Sequence, residues 1–121
     1  MEIEKVNLEE KLGLFSAHWS PKVIGELNGQ LVKIAKFKGE FIKHKHINED
    51  ELFYVIQGEL FIGLTDKTLN LKAGEFVIIP KGTEHKPFAP KEVSVLLFEP
   101  VSTLNTGEVK NHLTQSELDR L

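Results

Sequence analysis

Seven short runs rich in Val, Ile, Phe and Thr crowd the stretch between residues 30 and 100, each bounded by turn-forming residues. They are Gln30–Lys38 before Gly39, Phe41–His46 before Asn48 and Glu51–Gln57 before Gly58. Next come Glu59–Thr65 and Thr68–Leu71 on either side of Asp66-Lys67, then Phe76–Ile79 before Pro80 and Glu92–Glu99 before Pro100. β-Branched and aromatic residues fit a pleated, half-buried surface, and Gly and Pro end such runs. Many short strands at close spacing predict an all-β sandwich or barrel. With 121 residues, the chain is the length of one domain and can bury a core without disulfides.

The flanks read differently. Asn7-Leu8-Glu9-Glu10 predicts a short helix, with Asn7 as cap, ending near Gly13. Leu14 to Pro21 reads as an extended arm with Phe15 and Trp19 as anchors. Thr114-Gln115-Ser116-Glu117 matches a capping box and predicts a short helix over 113–121. The expected division is therefore a helix and arm over 1–29, a barrel over 30–100 and a tail over 101–121.

Composition removes several function classes. The net charge of −3, with lysines interspersed among acidic residues, argues against nucleic acid as a partner. The absence of cysteine excludes disulfides, thiolate metal sites and a cysteine nucleophile. Met1-Glu2-Ile3-Glu4-Lys5 is too polar to open a signal peptide, and apolar stretches such as Val93–Phe98 are too short to cross a bilayer. The reading is a soluble, cytoplasmic protein with no membrane partner.

Chemistry concentrates in two blocks. In a strand, residues i and i+2 face one side, so His44 and His46 point the same way, about 6.6 Å apart along the backbone. Lys43 and Lys45 alternate with them and take the solvated face. Two imidazoles turned into a barrel need a partner, and a metal ion supplies it. The following turn offers three carboxylates, Glu49, Asp50 and Glu51. A further histidine, His85, follows a Pro80-Lys81-Gly82 turn. Three imidazoles and a carboxylate suit a divalent transition metal: Fe, Mn, Ni, Zn, Co or Cu.

The spacing of these blocks resembles the cupin superfamily. Its first motif, Gly-x5-His-x-His-x3,4-Glu-x6-Gly, matches His44, His46, Glu51 and Gly58, with Gly39 one residue nearer than usual. Its second, Gly-x5-Pro-x-Gly-x2-His-x3-Asn, matches Gly74, Pro80, Gly82 and His85, while Ala89 stands where Asn is frequent. The stretches His18–Lys22 and Leu104–Gly107 are also similar to small single-domain cupins. The resemblance implies a double-stranded β-helix, or jelly-roll barrel. It selects Glu51 over Glu49 and Asp50, and it makes His44, His46, Glu51 and His85 the metal ligands. It also implies a homodimer. Open edge strands must be covered or paired, so the N-terminal arm is expected along a neighbouring subunit's sheet, with folding back onto its own sheet as the alternative. Gly58, Gly74 and Gly82 are expected to act through positive φ or close chain approach.

Four protein ligands leave two octahedral positions open, as a reactive site requires. The expected function is a metal-dependent enzyme, an oxygenase or isomerase, acting on a small molecule. A metal-containing binding or sensing module without turnover is the alternative, and a structural cupin with a vestigial site is a third reading. No Ser-His-Asp set or phosphate loop is visible, and Arg120 is the only arginine, so phosphate or carboxylate clamps have little to build on. No catalytic residue is assigned. His18 and His112 read as surface residues, and Tyr54 faces away from Glu51. Phe41, Phe53, Phe88 and Phe98 are candidates for lining the pocket.

Overall fold

A computed structural model describes residues 2–121. After a short helix, α1 (Leu8–Leu12), come strands β1 (Lys22–Leu27), β2 (Gln30–Glu40), β3 (Glu51–Gln57), β4 (Glu59–Gly63), β5 (Thr68–Lys72), β6 (Phe76–Ile79) and β7 (Lys86–Pro100). Strand order is β1-β2-β7-β3-β6, with β4 joining β5 to β7. All pairings are antiparallel.

Strand β7 organises the barrel. Its first residues pair with β4, as in Phe61↔Phe88, and its last with β3, as in Phe53↔Leu97. Strand β2 follows β7 over nearly its whole length. Between the partners Phe37↔Val93 and Gly39↔Ala89 the register slips, leaving Pro90-Lys91-Glu92 as a bulge. A bulge bends its strand and increases local twist. Here it lets one strand turn the corner between the two halves of the barrel.

Alternation then sends one face inward. Ala35, Phe37, Phe53, Val55, Leu60, Ile62, Val93, Val95 and Leu97 are buried in one cluster. Each large aliphatic or aromatic side chain in that cluster contributes about 1.5–3 kcal/mol. Gly58 alone connects β3 to β4, at φ +94°. A Cβ there would lie 3.0 Å from the Glu92 carbonyl and 3.2 Å from Val93 Cα, so the turn is pressed against the β7 bulge. Gly74 and Gly82 also have positive φ, at +87° and +81°, as expected for these turns.

Helix α1 forms where expected, with the Asn7 side chain accepting from the Glu10 N–H. Three expectations differ. Residues 22–27, assigned to the arm, form strand β1. Its signal is Asn28-Gly29, whose φ values of 51° and 78° suit a type I′ hairpin turn. Phe41–His46 makes no ladder; within it only His44 bridges, to His85. The tail over 113–121 is not helical. Its backbone groups are engaged elsewhere: Val23 N–H donates to Asp119 O, Leu121 N–H to Val23 O and Gln115 N–H to Asn105 Oδ1. Such bonds compete with a helix too short to nucleate cheaply.

The arm lies on its own sheet. Trp19 N–H donates to Lys36 O, its indole N–H donates to Lys38 O, and its ring stacks on Phe37 at 4.2 Å and Phe41 at 4.8 Å. Stacking on two inward-turned rings explains why the arm folds back rather than reaching outward. Among the described residues, no helix is long and apolar enough to cross a membrane.

Candidate metal centre

His44 and His85 are brought together by backbone. Each N–H donates to the other's carbonyl, at 3.0 Å from His44 and 2.8 Å from His85. Gly82 N–H donates to His46 O at 2.7 Å, which latches the Pro80–Gly82 turn onto the same segment. Glu51 opens β3 directly after the polar turn. The rival carboxylates are used elsewhere: Glu49 accepts from the Ser102 hydroxyl and Asp50 from the Lys81 N–H.

Ligand atoms of His44, His46, Glu51 and His85 all lie within 4.8 Å of one another, and all four residues are buried. Glu51 Oε1 is 3.2 Å from His46 Nε2 and 3.3 Å from His85 Nε2. His44 Nδ1 faces the Ile42 carbonyl and His85 Nδ1 the Thr83 carbonyl, each at 2.9 Å. A carbonyl only accepts, so each Nδ1 carries the proton and each Nε2 keeps its lone pair for an ion. His46 Nε2, His85 Nε2 and Glu51 Oε1 are buried without a hydrogen-bond partner. Buried polar atoms are rarely left so, and their convergence fits a bound cation.

Electrostatics favour the ligating forms. Burial, then the neighbouring His85, lowers the His44 pKa to about 4, which keeps its imidazole neutral. Burial opposes charge on Glu51, but the close approach of Glu99, His46 and His85 holds its carboxyl well below the usual range. Glu99 goes the other way: burial and then the Glu51 charge push it well above that range, and Lys33 offsets only part.

Beside the cluster lies a small cavity of about 30 Å³. Trp19, Phe37, Phe41, Phe53 and Leu97 wall it, and His44, Glu51, Glu99 and Asn105 supply its polar edge. Phe41 and Phe53 thus line the chamber as expected. Phe88 does not: it stacks on Phe61 at 5.3 Å and lies between the buried Pro87 and Ala89. Phe98 is also turned away, between the inward-facing Leu97 and Glu99. Tyr54 lies on the face opposite Phe53, and His18 and His112 are outside the cluster.

The buried pair Lys33 and Glu99, with Nζ 2.7 Å from Oε1, is absent from the motif reading. Its signal is in the alternation. Leu31, Lys33, Ala35 and Phe37 share one face of β2, and Val93, Val95, Leu97 and Glu99 share one face of β7. A charge in each apolar series marks a partner across the ladder.

The Cupin domain model matches residues 30–99, and the chain belongs to the cupin family. The chain resembles the uncharacterized protein YdbB of Bacillus subtilis (strain 168), with 48% identity over 64 residues. That match spans 52% of the chain and 57% of the YdbB length, so it leaves much of both outside. A cupin-2 domain containing protein from Shewanella frigidimarina superposes with a TM-score of 0.78 at 45% identity, covering 78% of this chain and 93% of that one. Protein NMB1881 from Neisseria meningitidis superposes with a TM-score of 0.74 at 24% identity, covering 80% and 99%, and shares the fold.

Proposed function

We propose that this cupin holds one divalent transition-metal ion through His44, His46, Glu51 and His85, and acts as an enzyme, an oxygenase or isomerase, on a small and mostly apolar molecule. The observation that carries this reading is the set of unpartnered imidazole and carboxylate atoms converging at the edge of an aromatic chamber. When bound, the ion supplies Lewis acidity or, if redox-active, one-electron chemistry. Four protein ligands leave two of six positions for water or a ligand.

The chain's own residues define what can enter. Trp19, Phe37, Phe41 and Phe53 exclude water and favour a flat or apolar body. Asn105, held by bonds to Leu113 O and the Gln115 N–H, and Glu99 give the chamber a polar edge near the centre. His44 and His85 are held in one tautomer by their carbonyl partners, so they stay ligands and do not serve as proton carriers.

The alternative is a binding or sensing module without turnover. The absence of an assigned acid, base or nucleophile beyond the metal cluster favours it. We further propose a homodimer in the cytoplasm; the lack of cysteine suits a reducing compartment.

Elemental analysis of protein purified without added metal, followed by oxygen-uptake and isomerisation screens on the same sample, tests the reading. Stoichiometric metal with turnover supports the enzyme. Stoichiometric metal with tight ligand binding and no turnover selects the sensing module. A chain that neither carries nor takes up any of Fe, Mn, Ni, Zn, Co or Cu overturns both.

A further inference from the structure

We infer that Lys33 and Glu99 are positioning residues for Glu51, holding its carboxyl so that one oxygen, Oε1, is offered to the ion and an additional coordination position stays open. The inference rests on the metal reading above and extends it to two residues outside both motifs.

The pair is anomalous as a stability device. Lys33 is 1% exposed and Glu99 2%, on faces otherwise given to the apolar core. Removing two charges from water is expensive, and an apolar pair of similar size is often as stable or more so. Packing therefore gives no reason for an ammonium and a carboxyl inside this barrel.

Their placement supplies the reason. Leu52 is opposite Phe98 in the β3–β7 ladder, and carrying that register one step further sets Glu51 opposite Glu99. Both side chains line the same polar edge of the chamber. Like groups directly opposed across a ladder repel, so the arrangement needs a compensating cation. Lys33 faces Leu97, one diagonal step from Glu99, and its ammonium reaches Glu99 Oε1 at 2.7 Å. Glu99 Oε2 is buried without a hydrogen-bond partner, so it is not committed elsewhere in the chain. The result is a series of neighbours, Lys33 paired with Glu99 and Glu99 set opposite Glu51, ending at Oε1 turned to His46 and His85.

A carboxylate that can swing closes on a cation with both oxygens and fills one more position. A carboxylate set beside a fixed neighbour must displace that neighbour to do so. Partners that orient metal ligands in this way control both affinity and geometry.

Cobalt(II) added to the metal-free protein tests the inference without any activity assay. The main variant is Lys33→Met with Glu99→Leu, which removes both charges and leaves neither orphaned. The wild type is expected to take up one cobalt ion. The folded double variant is expected to bind cobalt about 10–100-fold more weakly. Its ligand-field absorption should also shift, as Glu51 closes on the ion. Glu99→Gln still offers an N–H to Glu51 and is expected to restore the wild-type spectrum, which a merely packing role would not require. Thermal melts establish that each variant is folded. Should the double variant not fold, Glu99→Met alone carries the same expectation. A folded variant with wild-type affinity and spectrum overturns the inference and leaves the metal reading standing. A wild type that takes up no cobalt or other divalent metal overturns the metal reading, and the inference with it.

Discussion

His44 and His85 exchange a reciprocal pair of backbone hydrogen bonds, so two imidazoles from distant parts of the chain are locked side by side before any ion arrives. Their backbone pairing does not depend on the imidazole rings. His85→Ala should therefore leave the bridge and the fold intact while abolishing metal uptake. His46→Ala should do the same, because the His46 ring makes no hydrogen bond within the chain. Elemental analysis of the two variants, beside circular dichroism, checks both halves. Wild-type metal content in either would remove that residue from the ligand set.

Gly58→Ala should destabilise the fold without touching a candidate ligand. The φ of +94° is strained for any residue with a side chain, on the order of 1–3 kcal/mol. The added Cβ also meets the Glu92 carbonyl at 3.0 Å, so the cost should reach the upper part of that range. Urea unfolding measures it. A change below about 0.5 kcal/mol, the size of an ordinary surface substitution, would mean that the β7 bulge yields easily.

Trp19→Ala should release the arm and open the chamber. The indole stacks on two rings and donates to Lys38 O, while the backbone sits at φ 58°, an uncommon value for a bulky residue. Truncating a buried Trp costs about 3–5 kcal/mol; Trp19 is only half-buried, so the lower end is expected. As the chain has one tryptophan, its fluorescence reports the arm directly. Strong acrylamide quenching in the wild type would show that the arm is not seated.

Light scattering should give twice the 13.7 kDa chain mass. Phe76 and Ile78, on edge strand β6, are 61% and 54% exposed, an apolar edge that natural sheets usually cover. A monomer at high micromolar concentration would refute the dimer. Because the arm lies on its own sheet, Trp19→Ala, which releases it, should leave the mass of the assembly unchanged.

Much of the fold and of the site is legible in the sequence. Gly and Pro punctuation located most strands, and the spacing of His44, His46, Glu51 and His85 brought four side chains to one point. What escaped did so for identifiable reasons. Strand β1 carries Gly25 and lacks clean alternation, so only its Asn28-Gly29 turn announced it. The tail satisfies the local rule for a helix cap, but tertiary hydrogen bonds to Val23 and Asn105 took the groups a helix would use. Lys33 and Glu99 were visible only as interruptions of two apolar series, and their pairing depends on a register between strands that no single segment encodes.

The span of β7 has a consequence for how the chain reaches its native state. This strand starts immediately after His85 and carries Glu99 near its end, while β2 and β3 supply its partners from far earlier in the chain. Contacts of such large sequence separation make for slow folding, since loops must close before the pairings repay them. The candidate centre therefore cannot assemble in a partly folded hairpin. A metal ion that binds it should act as a late, all-or-none clamp, slowing unfolding far more than it speeds folding.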